Sequence, residues 1–140
     1  MRDIYSCPEC GAALVDEKNC WQQLEEILSW EYQFPELLAQ HFLTVAIYNI
    51  QHPSQFSDEA VQMLRRAFVE KVGRATPTSQ IRLEFARRYE GSKKILKPES
   101  ERKVVFREWK MTIADVYLPQ DAKGTASRVR AWAQATRAEL

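Results

Sequence analysis

Apolar residues recur at three- and four-residue intervals over most of the chain, the period of helices with one buried face. Trp21, Leu24, Ile27 and Leu28 predict a first helix, with the Asp16 side chain as its candidate cap. Pro35 suits the first turn of a second helix, and Leu38, Phe42, Val45, Ala46 and Asn49 carry its stripe until Pro53 stops it. Ser57 followed by Asp58 and Glu59 reads as an N-cap with acids at the positive end of the dipole. Val61, Leu64, Phe68 and Val72 continue that third helix to Gly73. Thr76-Pro77 repeats the cap-then-proline signal, and Ile81, Phe85 and Tyr89 predict a fourth helix running to Gly91.

The periodicity then lapses. Residues 92–110 hold seven Lys and Arg residues and Pro98, and read as a mobile, solvated basic connection. Over 104–116 the β-branched and aromatic content rises, which fits a short strand or an irregular segment packing Trp109 and Ile113 as well as a helix. Thr112 and Asp115 have the spacing of a cap for a helix opening at Ile113. Ala126, Val129, Trp132, Ala133 and Thr136 mark the buried face of a last helix, leaving Arg128, Arg130 and Arg137 to reach water.

The fold class that follows is a mainly α, single small helical domain over 1–140. Its expected parts are a zinc knuckle in 1–20, a helical core in 21–91, the basic connection in 92–110 and a C-terminal segment and helix in 111–140. A length of 140 residues with 45% hydrophobic composition suits one core and is short for two. No run approaches the 18 or so apolar residues of a membrane span, and the opening MRDIYSCPEC lacks a cationic head before an apolar stretch, so no membrane is expected and the location expected is cytoplasmic.

The formal charge of +1 conceals an asymmetry. Residues 1–60 hold 2 Lys and Arg against 10 Asp and Glu, and residues 61–140 hold 18 against 9. The two halves either attract each other within the fold, which is the simpler reading, or the second half meets an anionic partner.

Three cysteines make an odd count, poorly suited to a secreted disulfide framework. Cys7-Pro8-Glu9-Cys10-Gly11 sets two thiols on one tight turn, where Gly11 lets the backbone bend as zinc knuckles require. Cys20 adds a third soft donor, and three thiolates select zinc over magnesium or calcium. A structural zinc needs a fourth ligand, and the chain offers only His41 and His52. On one helix they stand roughly 16 Å apart, so a single ion takes one of them. If the first two helices form an antiparallel hairpin, the end of the second returns to Cys20, which favours His52 and leaves His41 as the alternative ligand. Thioredoxin-like use of CPEC, a zinc deaminase with its H-x-E signature and a G-x-S-x-G hydrolase all lack their required context, so no catalytic residue is assigned.

CPECG, Cys20-Trp21, His41-Phe42-Leu43-Thr44-Val45, Tyr48, Gln51-His52-Pro53 and Phe56-Ser57 together resemble an uncharacterised bacterial family known only as a domain of unknown function. The resemblance continues through Trp109-Lys110-Met111-Thr112-Ile113-Ala114-Asp115-Val116 and Val129-Arg130-Ala131-Trp132-Ala133. It implies one domain with Cys7, Cys10, Cys20, His41 and His52 as marked positions, and brings no activity with it. The expected function is a zinc-stabilised binding module with a protein partner. The alternatives are nucleic-acid binding through the basic stretch 82–110 and a zinc enzyme with an open coordination position.

Overall fold

The computed structural model describes residues 6–72 and 96–140. The predicted fourth helix, the end of the third expected at Gly73 and much of the basic stretch lie outside these residues. What is described is mainly helical and has no sheet, only isolated bridges at Val15–Lys18 and Phe56–Leu96. The helices are α1 (Cys20–Trp30), α2 (Pro35–Leu38), α3 (His41–Ile50), α4 (Asp58–Val72), α5 (Ile113–Val116) and α6 (Thr125–Ala138).

The cap of α1 is Asn19, where the sequence pattern suggested Asp16. The Asn19 side chain accepts from Gln22 N at 2.9 Å, and Gln22 Oε1 accepts from Asn19 N at 3.0 Å, a reciprocal box that Asp16 is too distant to make. Asp16 and Glu17 instead occupy left-handed backbone, φ 49° and 62°, at the centre of a two-residue turn closed by Val15 and Lys18. That reversal starts α1 beside the N-terminal knuckle. Gln23, fully buried, donates to Ala13 O at 3.0 Å and Lys18 O at 2.9 Å and fastens the turn to α1.

The single second helix expected from Pro35 to Pro53 is two. The i to i−4 ladder fails at Gln40, whose ψ of 10° and bond from its N to Leu37 O tighten the chain before α3 restarts. Ser57 caps α4 as expected, its Oγ accepting from Ala60 N at 3.2 Å. Residues 104–112 form no strand; the irregular reading holds up to Thr112, which caps α5 in a reciprocal box with Asp115. The described part of the basic connection is mostly exposed, with Trp109 buried, and it is tied down. Lys97 N donates to Gln55 O at 2.9 Å and Arg107 N to Glu9 O at 3.1 Å, so 96–110 runs back along the first half rather than lying free in solvent.

The core gathers where α3 packs on α4 and α6 and where α5 packs on α1 and α6. Ile27, Leu37, Ile47, Phe68, Val116, Val129 and Trp132 are fully buried there. Gln51 Nε2 and Trp132 Nε1 both donate to Met111 O, at 2.9 and 3.2 Å, which joins the end of α3 to the C-terminal segment. This places His52, the next residue, with little freedom.

Candidate metal centre

Three short pieces of chain build the site. In the knuckle, Gly11 N donates to Cys7 O and Cys7 N to Ala12 O, both at 2.9 Å, closing a turn that Gly11 makes at φ +82°. Backbone amides inside this turn point at sulfur: Glu9 N and Cys10 N lie 3.4 and 3.5 Å from Cys7 Sγ, and Ala12 N lies 3.4 Å from Cys10 Sγ. Cys20 is the first residue of α1, and His52 follows Gln51, the C-cap of α3.

The donor atoms of Cys7, Cys10, Cys20 and His52 all lie within 4.8 Å of one another, a cluster that can hold a metal ion. All three cysteines are free thiols. His52 Nε2 is 3.6 Å from Cys7 Sγ and 3.4 Å from Cys20 Sγ. Its Nδ1 donates to Tyr48 O at 2.6 Å, which puts a ring proton on Nδ1 and aims Nε2 at the sulfurs. The Tyr48 ring stacks on the imidazole, centroids 4.0 Å apart, and its hydroxyl reaches Cys20 Sγ at 3.6 Å. Glu9 lies between the two knuckle cysteines in sequence, yet it is buried, accepting from Ser54 N and Ser54 Oγ at 2.9 Å and locking the knuckle to the turn after His52.

Crowding three thiols and an imidazole gives the site a marked electrostatic order. Hydrogen bonds from Cys10 and Cys20 hold the Cys7 thiol far below its usual range, while hydrogen bonds to Cys20 and Cys7, and then burial, push Cys10 far up. Burial opposes a charge on His52, but the hydrogen bonds to Cys20 and Cys7 outweigh it and carry the imidazole up to about 10. Without a metal, these interactions favour charge on Cys7 and a proton on His52, and a cation bound by the four donors would compete with protons.

His41 is elsewhere. Its Nδ1 lies 2.8 and 3.0 Å from the carboxylate oxygens of Glu31, where α1 ends and α3 begins, away from Cys20 and His52. The structure thus brings four of the five marked residues together and leaves His41 outside. Sequence reasoning missed Glu9, Tyr48 as the support of His52, and Glu31. The four-residue Tyr48–His52 spacing was the one signal available in the sequence.

Of the basic stretch, Lys97 Nζ pairs with Asp58 at 3.3 Å, and the Arg107 guanidinium lies 3.9 Å over the Trp109 ring and donates to Glu139 O at 2.8 Å. A surface pocket of about 640 Å³ opens beside the cluster, lined by Trp21, Tyr48, His52, Ser54 and Arg102 among others. Trp21 was expected on the buried face of α1; it stands 55% exposed at this rim, its ring 6.1 Å from that of Tyr48.

The chain belongs to a family of unknown function (DUF5946), whose model matches residues 5–140. No curated protein and no solved structure matches. No helix among the described residues is long and apolar enough to cross a membrane.

Proposed function

Taking membership of this family as the premise, we propose that Cys7, Cys10, Cys20 and His52 bind one zinc ion in a closed structural site, and that the chain is a zinc-stabilised binding module. The observation that carries this reading is the spacing of sulfur and nitrogen. Zinc at about 2.3 Å from sulfur and about 2.0–2.1 Å from nitrogen, in a tetrahedron, needs them about 3.5 Å apart, against 3.6 and 3.4 Å here. The donor set supports it: thiolates with one imidazole suit zinc, and the Tyr48 carbonyl, the knuckle amides and the Glu9–Ser54 lock supply the outer support such sites use.

Four protein donors leave a tetrahedral ion no position for water or substrate, so the centre is read as structural and the reading of an open-site zinc enzyme is set aside. The metal's role is then to secure the knuckle, which buries little apolar surface of its own, against the α1–α3 hairpin. Binding to a protein partner is assigned to the rim beside the centre, where exposed Trp21 offers a large aromatic surface.

The test is elemental analysis of the purified protein beside Cys20→Ser and His52→Ala. One zinc per chain, lost in both variants, is expected. A folded parent without metal, or full zinc content in either variant, would overturn the assignment.

A further inference from the structure

A surface pocket of about 540 Å³ lies where α4 meets the residues after α6 and the irregular segment before α5. It gathers Arg65, Arg66 and Arg107 between apolar walls from Val69 and Leu140. A guanidinium group stays protonated in any protein setting, so these charges do not depend on their surroundings.

Arg107 is held in place by its bond to Glu139 O and by its stack on the Trp109 ring. Arg65, half-buried, is not satisfied. Its Nε is buried without a hydrogen-bond partner, and among the described residues its side chain makes no hydrogen bond or ion pair. Burial, and then the charge of Arg107, hold its pKa below the usual value, so both act against this cation. The two acids on the pocket wall do not relieve it. Glu139 Oε2 accepts from Lys110 N at 3.1 Å, Glu70 has a partner of its own, and neither forms an ion pair with Arg65 or Arg107. Two cations on one pocket, one of them with an orphaned buried donor, are costly until an anion joins them.

The donors present indicate which anion. A carboxylate has two oxygens and is filled by one guanidinium fork, whereas a phosphate monoester has three terminal oxygens and about two negative charges and can take two forks. The apolar walls suit an organic group on the ester oxygen. We propose that this pocket binds a small phosphate monoester with an apolar or aromatic body, its phosphoryl oxygens between Arg65 and Arg107 and its body against Val69 and Leu140. Arg66, exposed on α4, adds attraction at longer range. None of these residues belongs to the four-donor cluster, so the proposal does not depend on the zinc reading.

The test uses the full chain near neutral pH, with phenyl phosphate, inorganic phosphate and benzoate as probes and affinities from calorimetry. The Nε–Hε NMR signal of Arg65, identified by its loss in Arg65→Met, reports on the pocket itself. Phenyl phosphate is expected to shift this signal saturably and to bind at least about ten-fold more tightly than either other probe. Arg65→Met keeps the aliphatic packing and removes one of two like charges. It is expected to lose at least about ten-fold in affinity without a lower urea midpoint in the unliganded protein. Val69→Glu, at a position 37% exposed, should abolish binding by setting a carboxylate against the phosphate. Arg130→Gln, exposed on α6, should leave it unchanged. If Arg65 serves packing alone, Arg65→Met lowers the midpoint and keeps its affinity, and the proposal fails. No saturable shift, equal binding of benzoate or inorganic phosphate, parental binding by Val69→Glu, or an equal loss in Arg130→Gln would overturn it as well. Equal or tighter binding of a short single-stranded oligonucleotide lacking terminal phosphates would replace it with a nucleic-acid surface.

Discussion

Gly11→Ala is the most discriminating single change in the knuckle. Gly11 sits at φ +82°, and a Cβ there would lie 3.0 Å from Phe106 Cε2. Left-handed backbone costs a residue with a Cβ about 1–2 kcal/mol. The reduced freedom of alanine in the unfolded chain returns about 0.5–1 kcal/mol. Phe106 is 38% exposed, so its ring can yield and adds little. The metal-loaded variant is therefore expected to lose about 1 kcal/mol in urea unfolding, because the strain falls on the turn that aims Cys7 and Cys10. Repeating the substitution in a Phe106→Ala background separates the two sources. A penalty that persists there comes from the backbone; one that vanishes comes from the ring, and would refute this accounting. Unchanged stability of Gly11→Ala itself would refute it outright.

Other consequences are equally direct. Removing the metal with a chelator should speed hydrogen exchange at the Glu9, Cys10 and Ala12 amides, which point at sulfur, while Val129 and Ala133 amides in α6 stay protected; uniform acceleration would mean that the knuckle is not a separate unit. Trp132→Ala should cost about 3–5 kcal/mol in urea unfolding, since the indole is fully buried and donates to Met111 O; a cost under about 1 kcal/mol would contradict its place in the core. Glu17→Gly, at φ 62°, should stabilise by about 0.5–1 kcal/mol on relief of left-handed strain, and a lower denaturation midpoint would count against the turn. Burial, and then the hydrogen bond that its hydroxyl donates to Glu26, push the Tyr117 phenol above its ordinary value. The unfolded chain therefore ionises first, and stability present below about pH 10 declines as pH rises beyond it. Tyr117→Phe should show a shallower alkaline decline in urea midpoint, and an identical decline would remove Tyr117 from the explanation.

Where burial and periodicity coincide, the sequence was legible. Ala126, Val129, Trp132, Ala133 and Thr136 are all buried on α6, and Thr112 with Asp115 caps α5 because that geometry is local. The cysteine spacing was equally readable, and His52, which hairpin reasoning favoured, is the histidine that lies beside the three sulfurs. Local competition decided the misses. Asp16 lost the cap to Asn19, whose partner Gln22 stands at the spacing of a reciprocal box. The interruption at Gln40 breaks a continuous apolar stripe and has no proline or glycine to announce it. The ties of Glu9 to Ser54 and Glu31 to His41 are contacts between polar residues far apart in sequence or on separate helices, and no period encodes them.

The metal-site residues also have a bearing on synthesis. All four donors are clear of the ribosome once His52 has emerged from the exit tunnel, before α4, α5 or α6 has come out. Metal capture is thus open to a nascent chain that still lacks most of its eventual interior, and it would hold α1 and α3 in register while α6, the last helix made, completes the packing. A ribosome-arrested chain carrying residues 1–60 beyond the exit tunnel should take up cobalt with the visible absorption of a tetrahedral thiolate site, whereas no absorption before α6 emerges would place metal capture after folding. If the proposed ion binds in this order, its supply during translation would decide how early the knuckle is fastened to α1 and α3.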